Sequence, residues 1–267
     1  MHKSIIVVCV LVVGFLAACS HSDKKNDVTV GAVCENFGPQ TPRDISQLKG
    51  ENKVVFPTAL PFSDMNLCDI HFHNAAEHKA PAFSVKAPQG GFQCGIASEL
   101  TVAERAPYAL NQCQGVKPGD TIEVHWVYTS CDTPPAPGLG SCLPEGLCVN
   151  PSLRVETQVF TVVNDDDAMD FAEFTDVRRS SDGYYQVKSL PEGTGEPVNF
   201  LGSTTGTSFS EQKCSPLQAT WNVRPQCAKV SISSLSNWCA ENEFGEDHAH
   251  GVRSLVNNLK LLSTIKK

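Results

Sequence analysis

Asp69-Ile-His71-Phe-His73-Asn-Ala-Ala-Glu77-His78 holds three of the eight histidines in this chain of 267 residues. Polar residues at 69, 71 and 73 alternate with Ile70 and Phe72, the period of a β-strand, whose successive side chains point to opposite faces. His71 and His73 therefore share a face, one pleat apart, and make half of a tetrahedral zinc shell. A second segment, Thr121-Ile-Glu123-Val-His125-Trp126-Val127-Tyr128, alternates in the same way and offers a third imidazole. For His71, His73 and His125 to meet, their strands must be neighbours in one sheet. Three neutral imidazoles with a fourth position open to water form the donor set of a catalytic zinc site.

Asp69 and Glu123 each stand two residues before one of these histidines and so share its strand face. A carboxylate there can accept the far ring N–H of a ligand and fix its tautomer and orientation. An acid on the inner face of a strand is costly without such a partner.

Working outward, further strands are expected at Lys53 to Pro57, Arg154 to Val163, Tyr184 to Val187, Ala219 to Val223 and Lys229 to Ile232. Pro/Gly-rich loops separate them, notably Asp132-Thr-Pro-Pro-Ala-Pro-Gly-Leu-Gly140 between cysteines. Asn164-Asp165-Asp166-Asp167 reads as a solvated turn, since a calcium loop of EF-hand spacing is not there. One helix is expected near the C-terminus, where Val252, Leu255, Val256 and Leu259 fall at i, i+3, i+4 and i+7. His248 and His250, a second His-x-His pair, would then sit at the start of that helix. Side chains two apart do not share a helical face, so the pair reads as a structural cluster, with zinc ligation or a proton relay as the competing roles. The expected class is β-dominated α+β: a single domain around a large, mostly antiparallel central sheet.

The N-terminus carries a processing signal. Met1-His2-Lys3 precedes an apolar run from Ile5 to Leu16, too short to span a bilayer but right for a secretory segment. Leu16-Ala17-Ala18-Cys19 resembles the lipobox of bacterial lipoproteins, which implies a lipid on Cys19, and Ser20 after it implies an outer-membrane destination. The expected organisation is a lipoprotein signal peptide (1–18), a lipidated polar tether (19–30) and one domain (31–267). Beyond residue 30 stand ten of the twelve cysteines, an even number that reads as disulfides in an exported protein. Connectivity stays open; Cys142 with Cys148 is the nearest local pairing, and Cys34 with Cys214 would tie the N-terminal segment to the core. A net charge of −8 without any long basic run argues against a nucleic-acid partner.

With these residues in hand, the chain resembles carbonic anhydrases. The α class carries Gln-x-His-x-His, a Glu-His pair, and Glu-x-His on a neighbouring strand; here Asp69-Ile-His71-Phe-His73, Glu77-His78 and Glu123-Val-His125 follow that order. Asp69 in place of glutamine, and the shorter interval to Glu77, look more like the δ type of marine algae and its bacterial relatives. The resemblance spans about Cys34 to Leu262 and implies an α-carbonic-anhydrase-like fold and a zinc cofactor. It further implies CO2 and bicarbonate as substrate and product, with zinc-bound hydroxide as the nucleophile. Phe200-Leu-Gly202-Ser203-Thr204-Thr205-Gly206 followed by Thr220-Trp221 is similar to the α-class Gly-Ser-Leu-Thr-Thr and Thr-Trp. By that likeness Thr205, or Thr204 if the alignment slides by one, would work with Glu77 to orient the hydroxide. Val127 and Trp221 would line the CO2 pocket, and His78 would belong to a structural Glu-His pair. No histidine matches the α-class proton shuttle. Two rivals stand beside this reading. A Cu/Zn superoxide dismutase-like enzyme needs about twice as many metal histidines. A non-catalytic zinc-binding lipoprotein would carry flexible His/Asp-rich tracts, which are absent.

Overall fold

Strand β1 (Asn66–His73) is buried along its whole length. It opens the large sheet of this structure, a computed structural model that describes residues 34, 36–47, 49–146, 148–203 and 208–265. Cys19, Thr204 and Thr205 lie outside the described residues, as do the expected signal peptide and tether. After a small hairpin, β2 (Phe83–Lys86) with β3 (Phe92–Cys94), the chain returns as β4 (Thr121–Thr129), antiparallel to β1. Strand β5 (Leu153–Val163) pairs antiparallel with β4 on its other side. A second hairpin, β6 (Val177–Arg179) with β7 (Tyr185–Val187), precedes β8 (Val198–Ser203), β9 (Gln218–Val223) and β10 (Ala228–Ser231).

The six-stranded sheet runs β1-β4-β5-β9-β8, and β10 also pairs with β5. Strand β5 is long enough to carry two parallel partners: its first half pairs with β9 and its second half with β10. The sheet is therefore mixed, with three antiparallel pairings and two parallel ones. The sole α-helix among the described residues, α1 (Ile232–Ala240), follows β10 directly.

Both faces of the sheet are covered, which is why all nine residues of β4 are buried. Ile70, Phe72, Val124, Trp126 and Tyr128 pack with α1 through Leu235 and Trp238 on one side. Val127, Val155, Val159, Phe200 and Trp221 form the opposite core. Between Leu67 and Asp69 the β1–β4 register shifts. This bulge sets Leu67 in the first core and Cys68 in the second, so the alternation is broken just before the histidine run.

The expected fold class holds, and three local expectations are corrected. Residues 53–57 alternate in exposure but have no ladder partner among the described residues, and Val55 is 86% exposed. The C-terminal helix is absent. In its place residues 247–256 form an extended strap: His250 N–H donates to Phe72 O (2.8 Å), Asn74 N–H to His250 O (2.9 Å) and Val256 N–H to Thr41 O (3.0 Å). Leu255 and Val256 are buried as the periodicity implied, but backbone pairing with β1 and residues 41–43 replaces helical hydrogen bonds. An eight-residue apolar stripe is too short to impose a helix against such partners.

The ten cysteines beyond residue 30 are all paired, as 34–214, 68–142, 94–227, 113–239 and 131–148. Cys34 with Cys214 is as expected. Cys142 and Cys148 do not join each other: Cys142 reaches the bulge residue Cys68 and Cys148 closes on Cys131. These two bonds staple the long loop to the ends of β1 and β4, which proximity in sequence alone does not reveal. The acidic turn at 164–167 is surface structure, as read.

Candidate metal centre

Directly opposite each other in the β1–β4 ladder stand His71 and His125, with Asp69 facing Val127 and His73 facing Glu123. The register thus sets three imidazoles and two carboxylates on one face. His71, His73 and His125 are buried, and each presents one ring nitrogen within 4.8 Å of the others.

Their tautomers follow from their partners. Asp69 Oδ2 lies 2.6 Å from His71 Nδ1, Gly251 O 3.0 Å from His73 Nδ1, and Glu123 Oε1 2.8 Å from His125 Nε2. A carboxylate or carbonyl oxygen only accepts, so each of these ring nitrogens carries the proton. The inward nitrogens, His71 Nε2, His73 Nε2 and His125 Nδ1, are left with lone pairs. His73 Nε2 is buried with no hydrogen-bond partner, and His71 Nε2 lies 3.2 Å from His125 Nδ1. Two lone pairs facing each other at that distance are unfavourable unless a cation lies between them. A tetrahedral shell with zinc–nitrogen bonds of about 2.0–2.1 Å sets neighbouring nitrogens about 3.3 Å apart. The residues fit such an ion.

Glu123 is wholly buried and saturated. Its Oε1 accepts from His125 Nε2 and from His78 Nδ1 (2.7 Å), while Oε2 accepts from the backbone N–H groups of Glu77 (2.8 Å) and His78 (3.1 Å). One carboxylate therefore fixes a histidine of β4 and the Glu77-His78 turn together. His78, Glu123 and His125 also cluster closely enough for a metal. Hydrogen bonds already join these three through Glu123 Oε1, and His78 Nε2 is buried without a partner of its own.

Burial lowers the pKa of His125 to about 4 against the support of Glu123, and lowers that of His73 well below the usual imidazole range. Both are neutral at pH 7, as metal ligation demands. Burial alone would raise the Glu123 carboxyl; His78 and the hydrogen bonds from His125 and His78 outweigh it and hold the group well below the carboxylate range. Glu77 behaves alike, with the Arg253 guanidinium overriding burial.

The expected site residues that the structure describes each have a definite place. Glu77 lies 3.4 Å from His73 Nδ1 through Oε1. Trp221 packs edge-on against His125, with ring centroids 5.3 Å apart, and stacks on Phe200. Val127 is on the same strand face as His125, in the core that holds Trp221. Thr205 falls outside the described residues, although β8 ends at Ser203, two positions before it. A cavity of about 390 Å3 opens onto His71 and His73, walled by the apolar Leu139 and Val252 and by Arg253 and His250.

His248 and His250 depart from expectation. On an extended strap residues two apart do share a side, and the two rings lie 5.0 Å apart. His250 reaches the cavity rim, its ring 5.9 Å from that of His71, and Nε2 bonds Glu246 (2.9 Å). That bond raises its pKa against partial burial. Sequence reading missed Gly251 and Arg253 altogether. Arg253 grips Glu77 from 176 residues away, a separation at which no spacing pattern signals a partner.

The strap lies beyond the stretch that comparison with known families recognises. No curated protein matches the sequence. A family model does, over residues 62–234, which include β1, the Glu77-His78 turn, β4 and Trp221. Its description is delta carbonic anhydrase. A match over more than half of the chain, on strands whose register brings the three histidines together, makes this protein a member of the delta carbonic anhydrase family.

Proposed function

We propose that the protein is a zinc enzyme that reversibly hydrates CO2 to bicarbonate and a proton, with His71, His73 and His125 as metal ligands. The observation that carries this reading is the convergence of three ring lone pairs, one buried without a partner and two facing each other at 3.2 Å. Zinc bound there supplies Lewis acidity, which lowers the pKa of a water from 15.7 to about 7 and makes hydroxide available near neutral pH.

The chain's own groups do the rest. Asp69, Glu123 and the Gly251 carbonyl hold a proton on the outward nitrogen of each ligand, so that the inward lone pair is always presented. Burial keeps His73 and His125 from protonating and releasing the ion at neutral pH. Leu139 and Val252 give the cavity apolar surface suited to CO2, a small molecule without a net dipole, while Trp221 and Val127 are buried beside His125 and back the site from the core. Thr205, in concert with Glu77, is assigned to orient the nucleophile toward the substrate carbon. Five disulfides fit a location outside the cytoplasm. No helix among the described residues is long and apolar enough to cross a membrane. We place the protein on the periplasmic side of the outer membrane, anchored by lipid at Cys19.

The test is stopped-flow CO2 hydration on the form that begins after Cys19, with zinc measured on the same sample. Rapid hydration that is lost on chelation and restored by zinc is expected. A folded, zinc-loaded protein without hydration would discard the enzyme and leave a metal-binding lipoprotein.

A further inference from the structure

The geometry points to Arg253 as a positioning residue, which acts on the metal centre through Glu77 and aims the His73 ring. The inference rests on His71, His73 and His125 holding zinc. Glu77 is fully buried, and its carboxylate is gripped at both oxygens. Arg253 Nε donates to Oε1 (2.9 Å) and Oε2 (2.7 Å), Nη2 donates to Oε2, and the Arg253 backbone N–H donates to Oε1 (2.6 Å). The Oε1 that Arg253 fixes is the one 3.4 Å from His73 Nδ1, whose closer partner, Gly251 O at 3.0 Å, belongs to the same strap. Both groups that face the outward nitrogen of His73 are therefore set by residues 251–253. Arg43 locks the arrangement, donating to Glu77 O (2.6 Å) and Arg253 O (2.8 Å). The Arg253 guanidinium also lies 5.7 Å from the Trp221 ring centre, and Trp221 packs on His125.

Without Arg253, a buried carboxylate beside His73 would lose the guanidinium donors that the strap supplies to its two oxygens and keep as counter-charge only Arg43, which bonds the Glu77 backbone carbonyl. It would be free to turn toward the ion and fill the position that substrate chemistry needs. A planar guanidinium can hold both oxygens of one carboxylate, whereas an ammonium is a point charge and holds them less rigidly. The strap is thus part of the centre although it lies outside the family match.

Zinc affinity, measured by chelator competition, is the readout, since it does not depend on hydration. Arg253→Met should weaken zinc binding about 10- to 100-fold, the usual effect of losing a group that orients a ligand. Arg253→Lys should recover part of the loss. Adding Glu77→Gln to Arg253→Met should cost little more, because the two residues act as one unit. The double variant also removes the buried charge that has lost its bidentate partner, so it remains measurable if Arg253→Met alone fails to fold. Zinc affinity unchanged in the double variant, or losses from Arg253→Met and Glu77→Gln that simply add, would overturn the assignment. His71→Ala separates the two readings: zinc retained at full affinity in that variant would overturn the three-histidine site itself, and with it the role of Arg253.

Discussion

Replacing Glu123 by glutamine changes one atom's chemistry at nearly constant volume, yet it should be among the most damaging substitutions in this protein. Four donors converge on the carboxylate: two imidazole N–H groups on Oε1 and two backbone N–H groups on Oε2, at 2.7–3.1 Å. Glutamine has one acceptor oxygen and must point its NH2 at the other pair. If the amide faces the backbone, two buried N–H groups lose their acceptor, at about 1–3 kcal/mol each. If it faces the rings, His125 is driven to the tautomer with its proton on Nδ1, where the ion belongs. The total, about 2–6 kcal/mol, divides between unfolding of the zinc-free protein and zinc binding. Urea denaturation and chelator competition on the same variant measure both parts. Asp69→Asn is the internal control. Asp69 Oδ1 has no partner, so asparagine can turn its oxygen to His71 and leave the NH2 where nothing donates. Its cost should be about tenfold in zinc affinity. Glu123→Gln with less than about 1 kcal/mol lost in both assays would refute this account of the site.

Further expectations follow from the same geometry. His125→Ala should lose zinc and hydration while the five disulfides and the two cores keep the domain folded; hydration at the parent rate would show that the ligand set is wrong. In the zinc-free protein, stability should be full above pH 6.5 and fall as pH drops toward 4. The unfolded chain takes a proton on His125 from about 6.5 downward, while the folded site resists until about 4. Over that window His125 alone accounts for about 3 kcal/mol. His73, also held well below the usual imidazole range, adds to the loss, and a urea midpoint equal at pH 7 and pH 4.5 would contradict it. Removing the Cys68–Cys142 bond, whose partners lie 74 positions apart, should cost about 4 kcal/mol, against about 3 for the 17-position Cys131–Cys148 bond. The first loss should also weaken zinc binding, because it frees the Leu139–Cys142 turn from β1 beside the cavity wall.

Much of the centre was legible because strand periodicity is a local rule. Two-residue alternation set Asp69, His71 and His73 on one side of β1 and Glu123 and His125 on one side of β4, and the acids at −2 announced their partners. The pairing of His71 with His125 then needed only that β1 and β4 be neighbours. The eventual tally of paired cysteines was equally open to inspection, since an even number in an exported chain has one common use.

What the sequence did not contain was any local trace of the strap. Residues 252–259 carry a helical stripe, and backbone partners on β1 and on residues 41–43 instead draw residues 247–256 out into an extended ribbon. That ribbon brings Gly251 to His73, Arg253 to Glu77 and His250 to the cavity rim. The bulge at Cys68 and the pairing of Cys142 with it, not with Cys148, are likewise decided by which chains lie side by side. Local pattern determines which face a side chain takes, because that depends on its own backbone. Tertiary structure decides which distant groups meet there, because the contacts between Glu77 and Arg253 bridge 176 residues that no periodicity connects.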